Sequence, residues 1–257
     1  MGLIDSHAHL TFPELVDQVA EVLQRAREAG VERVITVATD LADARRAVDL
    51  AERHPDRIDV AAGFHPHEAG QVTDETFSAM AALWAHPKVV ALGEMGLDYH
   101  YDFADRALQR SVFGRQLTEA AARVEPIVVH CREALDDTIR ILLEHGFERR
   151  PVVFHCFTGS AEEAARIAGH GWRISFTGVV TFKKSDALRD VARAYPAEHL
   201  MIETDAPYLS PEPVRGRRPN EPAFLAHTAR CLAELRGGPF AELAEQTARN
   251  TREFFEL

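Results

Sequence analysis

Cysteine is scarce in this chain of 257 residues, and its few copies are not arranged in pairs. The three cysteines, Cys131, Cys156 and Cys231, form no C-x-x-C motif. An odd number without such a pair argues against a disulfide framework and against a thiolate zinc site. We therefore expect a protein of the reducing cytoplasm, with Cys131 and Cys156 turned away from the strand face that carries their neighbours His130 and His155.

Long apolar runs and an excess of basic charge are also missing. No segment approaches the ~18 consecutive apolar residues of a membrane span, and the first residues lack the pattern of a signal peptide. The formal net charge is -11, so there is no global positive field for coating a nucleic acid. We expect no membrane association, and any phosphate binding has to be local.

Glycine-rich nucleotide loops of the G-x-G-x-x-G and G-x-x-x-x-G-K-[ST] types are absent. Short β-branched runs instead alternate with amphipathic stretches rich in Ala, Leu, Glu and Arg. This rhythm predicts eight strands, at 3–7, 33–38, 58–64, 89–94, 127–130, 152–155, 173–176 and 200–204. Eight βα units favour an α/β fold of the (β/α)₈ TIM-barrel type over a doubly wound sheet, with residues 1–257 as one domain.

Polar side chains concentrate where these strands end, at the face that carries the chemistry of barrel enzymes. His7 and His9 lie two residues apart, so both point to the same side of their strand. The other strand ends contribute His65, Glu94, His130, Arg132, His155, Glu203 and Asp205. Convergence of so many imidazoles and carboxylates would be costly without a compensating cation, which predicts a divalent metal site. His67 is interpreted as a helix-capping or surface residue.

Lysine occurs only three times, at Lys88, Lys183 and Lys184, and none of these follows a strand in a position to bridge two metal ions after carboxylation. Glu94 is therefore the expected bridge. A carboxylate can hold two ions about 3.5–4 Å apart, the separation at which paired metals clamp the attacking and leaving oxygens of a phosphoryl group.

Six segments carry a family resemblance. They are DSHAHL at 5–10, GFHPH at 63–67, GEMGLDY at 93–99, VHCREA at 129–134, FHCFTG at 154–159 and IETDAPYL at 202–209. The chain resembles the TatD family of metal-dependent deoxyribonucleases over nearly its whole length. The resemblance implies two ions per chain, the first held by His7, His9, Glu94 and Asp205, and the second by Glu94, His130 and His155. It also implies phosphodiester hydrolysis, typically from DNA ends.

The expected mechanism uses Asp205 to orient a water and take its proton, while Glu94 holds the metal pair. Arg132 and His65 are expected to bind phosphate oxygens. Glu203, grouped with these substrate-binding candidates, has three open uses: to orient a ligand, to bind a further ion or to complete a polar network. The expected partner is DNA, as a single strand or an end, bound by a monomer.

Three points stay open on sequence alone. The ligand set suits zinc, manganese or cobalt, whereas the family is described as magnesium-dependent. The arginines Arg215, Arg217 and Arg218 either form a local phosphate-binding site or belong to a solvated loop. Two other functions compete with the nuclease: an amide or ester hydrolase of the amidohydrolase kind, aminoacyl esters included, and a non-catalytic binding barrel.

Overall fold

Eight parallel strands form the centre of the protein, whose computed structural model describes residues 2–257. Each strand pairs with the next in chain order. The strands are β1 (Leu3–Ala8), β2 (Val31–Ala38), β3 (Ile58–Ala62), β4 (Val89–Asp98), β5 (Ile127–Arg132), β6 (Val152–Phe154), β7 (Arg173–Phe176) and β8 (Leu200–Ile202). The sequence-based prediction of eight strands and a (β/α)₈ barrel is confirmed.

The barrel closes between its first strand and the segment that follows its last. Ala8 forms an isolated parallel bridge with Ala206. His9 N–H donates to Ala206 O at 2.7 Å, and Asp205 N–H donates to His7 O at 3.0 Å. Closure therefore involves the backbone of the candidate metal ligands themselves, which brings the ends of β1 and β8 together.

Helices alternate with the strands and cover the outside of the barrel. They are α1 (Val19–Glu28), α2 (Leu41–Arg53), α3 (Asp74–Leu83), α4 (Arg106–Ala120), α5 (Leu135–Glu144), α6 (Ala161–Gly169), α7 (Asp186–Ala194), α8 (Leu225–Arg236) and α9 (Phe240–Phe255). None of the helices within residues 2–257 combines the length and the apolar character that a membrane crossing requires.

Two apolar cores follow from the alternation of side chains along each strand. Val34, Val60 and Ile127 belong to the large core between the strands and the helices. Ile35, Ala61 and Val128, each one position further along, belong to a smaller core inside the barrel. Phe254 and Phe255 at the end of α9 pack into this smaller core, which occupies the barrel interior and leaves the other end to polar residues.

The proline- and arginine-rich segment at 206–219 packs on the connection that follows β7. Ser210 Oγ donates to Arg217 O at 2.7 Å, and Glu212 N–H donates to Thr181 Oγ1 at 2.8 Å. The guanidinium of Arg215 lies 3.6 Å from the centre of the Phe182 ring. The segment is thus held at the carboxyl-terminal end of the barrel.

Candidate metal centre

His7 and His9 present two imidazole nitrogens to one point at the end of β1. Their Nε2 atoms lie 3.3 Å apart, and both rings are buried. The Nδ1 atom of His9 lies 3.0 Å from Val37 O. Because a carbonyl oxygen only accepts, His9 carries its proton on Nδ1 and presents the Nε2 lone pair inward.

Glu94 lies at an irregularity of β4. The pairing of β4 with β5 shifts register between Leu92 and Met95, and bulges of this kind redirect side chains beside active sites. The preceding Gly93 has a φ of +131°, and a Cβ there would lie 2.3 Å from Val128 O. Glycine is therefore required at this close approach, and the Glu94 side chain that follows is only 2% exposed.

The two carboxylate oxygens of Glu94 face different histidine clusters. Oε2 lies 3.4 Å from His7 Nε2 and 3.9 Å from His9 Nε2. Oε1 lies 2.7 Å from both His130 Nδ1 and His155 Nε2. Burial by itself raises the pKa of Glu94, but the neighbouring His155 and His65 lower it well below its usual range. Glu94 is thus an ionised carboxylate between two sets of nitrogen donors.

Asp205 completes the set on the side of His7 and His9. Its Oδ1 lies 3.5 Å from His9 Nε2 and 3.9 Å from His7 Nε2. The backbone of Asp205 is in the left-handed region, with a φ of +54°. Three residues beyond the end of β8, this turn directs the carboxylate back over the barrel.

The outer nitrogens of His130 and His155 are occupied by carboxylates. His130 Nε2 lies 3.1 Å from Asp98 Oδ2, and His155 Nδ1 lies 3.3 Å from Glu203 Oε1. An imidazole that donates to a carboxylate on one side keeps a lone pair on the other, which is the usual arrangement of metal-binding histidines. The inner atoms, His130 Nδ1 and His155 Nε2, are 3.2 Å apart.

These separations fit divalent cations. Two ligands each about 2.1 Å from a tetrahedral ion lie about 3.4 Å from one another, close to the 3.2 and 3.3 Å that separate the two nitrogen pairs. Lone pairs facing each other at such distances repel unless a proton or a cation lies between them. The donor set of imidazoles and carboxylates therefore suits metal ions, and the three-residue combinations that could hold one include His7 with His9 and Glu94.

His65 lies beside this set, and its hydrogen bonds assign its proton. The backbone N–H of His67 donates to His65 Nδ1 at 3.1 Å, so a neutral His65 carries its proton on Nε2. That atom lies 3.4 Å from Glu94 Oε1 and 3.3 Å from His130 Nδ1. Burial lowers the pKa of His65 to about 4. His65 is thus a neutral hydrogen-bond donor at the edge of the site.

Asp98 is a further residue of the site, to which sequence reasoning gave no role. Its Oδ2 lies 2.9 Å from His67 Nε2 and 3.1 Å from His130 Nε2. Burial raises the pKa of Asp98, but the hydrogen bonds from His130 and His67 outweigh it and lower the pKa. Its spacing could have identified Asp98, because it lies four residues after Glu94 on the same strand face. It was missed because the predicted strand ended at Glu94.

The interpretation of His67 as a helix-capping or surface residue is wrong. The side chain that caps the following 3₁₀ turn is that of His65, which accepts from His67 N–H. The His67 side chain is half-buried, and its Nε2 contacts the Asp98 carboxylate. Strand alternation does not apply here because β3 ends at Ala62, and the turn that follows redirects the ring.

Glu203 lies beneath His155 and is only 1% exposed. Its Oε1 accepts from Cys156 N–H at 2.8 Å, and its Oε2 lies 2.5 Å from Ser175 Oγ. These contacts place Glu203 in a polar network that includes His155, and Glu203 also belongs to a group with His7 and His155 that could hold a metal ion.

The two cysteines that follow candidate ligands differ in placement. Cys131 accepts from Thr138 Oγ1 of α5 at 3.5 Å and faces the helices, as predicted. Cys156 lies beyond the end of β6 at Phe154 and has a φ of +46°. Its Sγ lies 3.7 Å from Thr177 Oγ1, and burial raises the pKa of its thiol. Strand alternation gives no basis for the placement of Cys156, because the strand has already ended.

Arg132 is exposed at the end of β5, and its guanidinium lies 4.9 Å from the centre of the Tyr101 ring. The loop arginines Arg215, Arg217 and Arg218 are exposed as well. At the opposite end of the barrel, Lys88 Nζ contacts Asp59 Oδ1 at 3.2 Å, consistent with its exclusion from the site.

Comparison with known proteins assigns this chain to a family. The model of the family described as TatD related DNase matches residues 4–256. The chain belongs to this family. Among its TatD relatives, the metal-dependent hydrolase YabD of Bacillus subtilis is 40% identical over 255 residues, 99% of each chain. The protein named 3'-5' ssDNA/RNA exonuclease TatD of Erwinia tasmaniensis is 38% identical over 259 residues, 99% of this chain and all of the other.

Solved structures of TatD proteins have the same fold. The crystal structure of YJJV, a TatD homologue from Escherichia coli K12, is 32% identical, covers 99% of this chain and 98% of its own, and superposes with a TM-score of 0.93. A TatD family hydrolase from Entamoeba histolytica, 24% identical with the same coverage, has a TM-score of 0.92 and supports the fold alone.

Proposed function

We propose that this TatD-family protein is a metal-dependent phosphodiester hydrolase that removes nucleotides from single-stranded ends of DNA or RNA by a two-metal mechanism. One observation carries the proposal: the two oxygens of the buried Glu94 face two separate sets of imidazole nitrogens. A carboxylate in this position is suited to bridge a metal pair. The preference for single strands follows the name of the Erwinia tasmaniensis relative.

The residues would hold the two ions in the division that the family resemblance implies. His7 and His9 lie beside Glu94 Oε2 with Asp205 next to them, whereas His130 and His155 lie beside Glu94 Oε1. When bound, divalent ions lower the pKa of a water and offset charge on the phosphoryl oxygens. Magnesium follows from the family, and zinc or manganese suits the imidazole-rich donor set.

Asp205 is the proposed proton acceptor. Burial raises its pKa, but the neighbouring imidazoles of His9 and His7 lower it below the usual range for Asp. The ionised carboxylate can therefore orient a water for in-line attack on the phosphorus and take its proton. Its position at the mouth, 3.5 Å from His9, leaves it accessible to that water.

His65 and Arg132 are the proposed phosphate contacts. His65 carries its proton on Nε2, directed into the site, and donates without adding a charge. Arg132 adds an exposed guanidinium at the rim, whose planar donors match two oxygens of one phosphate. We propose that Glu203 supports the metal centre, by holding the candidate ligand His155 in place from beneath.

A panel assay of the metal-loaded protein tests this proposal. Its substrates are a single-stranded DNA, a blunt duplex of the same sequence, an RNA strand and a simple aryl ester. We expect mononucleotides to be released from the single strands, and Asp205→Asn to reduce turnover at least 100-fold while strand binding persists. Hydrolysis of the ester alone would instead identify an esterase, and near-normal turnover by Asp205→Asn would remove that residue from the mechanism.

We also propose a cytoplasmic location and a monomeric state. Cys131, Cys156 and Cys231 are free thiols, which fits a reducing compartment. Size-exclusion chromatography with light scattering gives the assembly state directly.

A further inference from the structure

Two solvent-exposed aromatic side chains lie beside the candidate metal centre. Tyr101 and Phe103 lie between β4 and α4 and are 42% and 68% exposed. Their ring centres are 5.6 Å apart with an interplanar angle of 45°. A single exposed aromatic ring needs no explanation, but adjoining exposed rings next to polar groups are typical of a binding surface.

The backbone anchors this pair to the site. Tyr101 N–H donates to Asp98 Oδ1 at 3.0 Å, and the other oxygen of Asp98 lies 3.1 Å from His130 Nε2. The Phe103 ring centre lies 4.6 Å from that of His67, which also contacts Asp98. One carboxylate therefore orients a candidate metal ligand and fixes the position of the exposed rings.

A cationic group, proposed above as a phosphate contact, lies at the same place. The guanidinium of Arg132 lies 4.9 Å from the centre of the Tyr101 ring, and Arg132 is the partner of Asp98 in the pairing of β4 with β5. A cation next to exposed rings is the combination with which proteins bind single-stranded nucleic acid: the cation contacts the backbone, and the rings stack on the bases.

We propose that Tyr101 and Phe103 form a stacking platform for the base next to the scissile phosphate, and that this platform makes an unpaired strand the preferred substrate. Only an unpaired end offers a free base face, because a base within a duplex is stacked on both sides. The proposal rests on the proposed nuclease function and adds to it the residues that select the form of the substrate.

Steady-state kinetics on two matched DNA single strands tests the platform. One strand is intact, and the other carries abasic sites at its two 3'-terminal nucleotides. Phe103→Leu keeps an apolar side chain but removes the ring, so we expect KM on the intact strand to rise about 5- to 30-fold, with kcat changed less than about twofold. Phe103→Trp should restore KM. On the abasic strand, the wild type and Phe103→Leu should have the same KM, because the stacking partner is missing.

A control variant and a duplex substrate complete the test. Phe240→Leu changes another exposed phenylalanine, which begins the helix that closes the opposite end of the barrel, and should leave all constants unchanged. The preference for the single strand over a blunt duplex should shrink in Phe103→Leu. Equal metal content and circular dichroism spectra of the variants establish that the fold is intact.

The outcomes distinguish a failure of the platform from a failure of the proposed nuclease function. If the wild type cleaves single strands and Phe103→Leu retains its KM, the platform is wrong and the nuclease function stands. An equal rise in KM for Phe103→Leu on the intact and abasic strands also overturns the platform. So does a rise in KM that occurs only when the chain self-associates. A wild type that leaves every nucleic acid uncut overturns both.

Discussion

Glu94 is the side chain through which the two halves of the candidate metal centre meet, so its removal should affect both ions. We expect Glu94→Ala to lose most of the metal at both positions. His155→Ala should lose only the ion on the side of Glu94 Oε1. Elemental analysis of purified, reconstituted proteins measures this as two ions in the wild type, about one in His155→Ala and fewer in Glu94→Ala. His170→Ala, outside the site and stacked on Trp172, should keep two. A wild type that stays metal-free would contradict the assignment.

Asp98 holds the candidate metal ligand His130 in its orientation, so its substitution should weaken metal binding without removing a ligand. Hydrogen-bonding partners of metal-bound histidines typically contribute 10–100-fold in affinity. We expect Asp98→Asn to weaken the second ion by about that factor and to leave the first unchanged, as measured by calorimetric titration. Asp59→Asn, a buried carboxylate paired with Arg33 at the other end of the barrel, is the matched control. A uniform loss at both sites would indicate general distortion instead.

One buried carboxyl group supports the pairing of β1 with the segment after β8. Asp5 Oδ1 accepts from Thr204 N–H at 2.9 Å, and Asp5 Oδ2 accepts from Thr204 Oγ1 at 2.6 Å. Burial raises the pKa of Asp5 to about 7. Because this contact joins residues 199 positions apart, it stabilises barrel closure and, through it, the approach of His7 and Asp205.

We therefore expect Asp5→Ala to lower the free energy of unfolding by about 2–4 kcal/mol, because it leaves buried donors of Thr204 without a partner. Asp5→Asn, which resembles the protonated acid that burial favours, should cost less than half as much at pH 6. Urea denaturation of the metal-free proteins measures both. Equal losses in the two variants would mean that charge, and not the hydrogen bonds, stabilises the junction.

At the scale of the whole molecule, a net charge of -11 has to be reconciled with a polyanionic substrate. Long-range attraction is absent, so contact should be confined to Arg132 and a few loop arginines near the mouth. Log affinity for a single strand falls with log salt by ~0.7 per neutralised phosphate, which predicts a shallow slope on the order of 2–3.

Fluorescence anisotropy of a short labelled strand across a salt series measures this slope, with Asp205→Asn used to prevent cleavage. Arg132→Ala should weaken binding equally for all base sequences, because phosphate contacts carry no base information. Arg217→Ala should lower the slope by about one if that residue reaches the strand. A slope above 5, or binding unchanged by metal removal, would indicate a different substrate surface.

The sequence by itself determined the architecture and the location of the site. Alternation of short apolar runs with amphipathic stretches predicted the eight strands, because a strand and a helix differ in the period of their buried faces. Polar residues at the strand ends then had to meet, because the carboxyl ends of parallel strands in a barrel share one face. The TatD resemblance rested on the same segments, and the family is confirmed.

Only the tertiary structure decided how those residues face one another. The irregularity in β4 divides the two oxygens of Glu94 between His7 and His130, and the four further strand residues bring Asp98 under His130. His67 and Cys156 each follow the end of their strand, where alternation no longer directs the side chain. Local periodicity determines which face a strand residue occupies, whereas the backbone path beyond the strand depends on contacts between segments far apart in the chain.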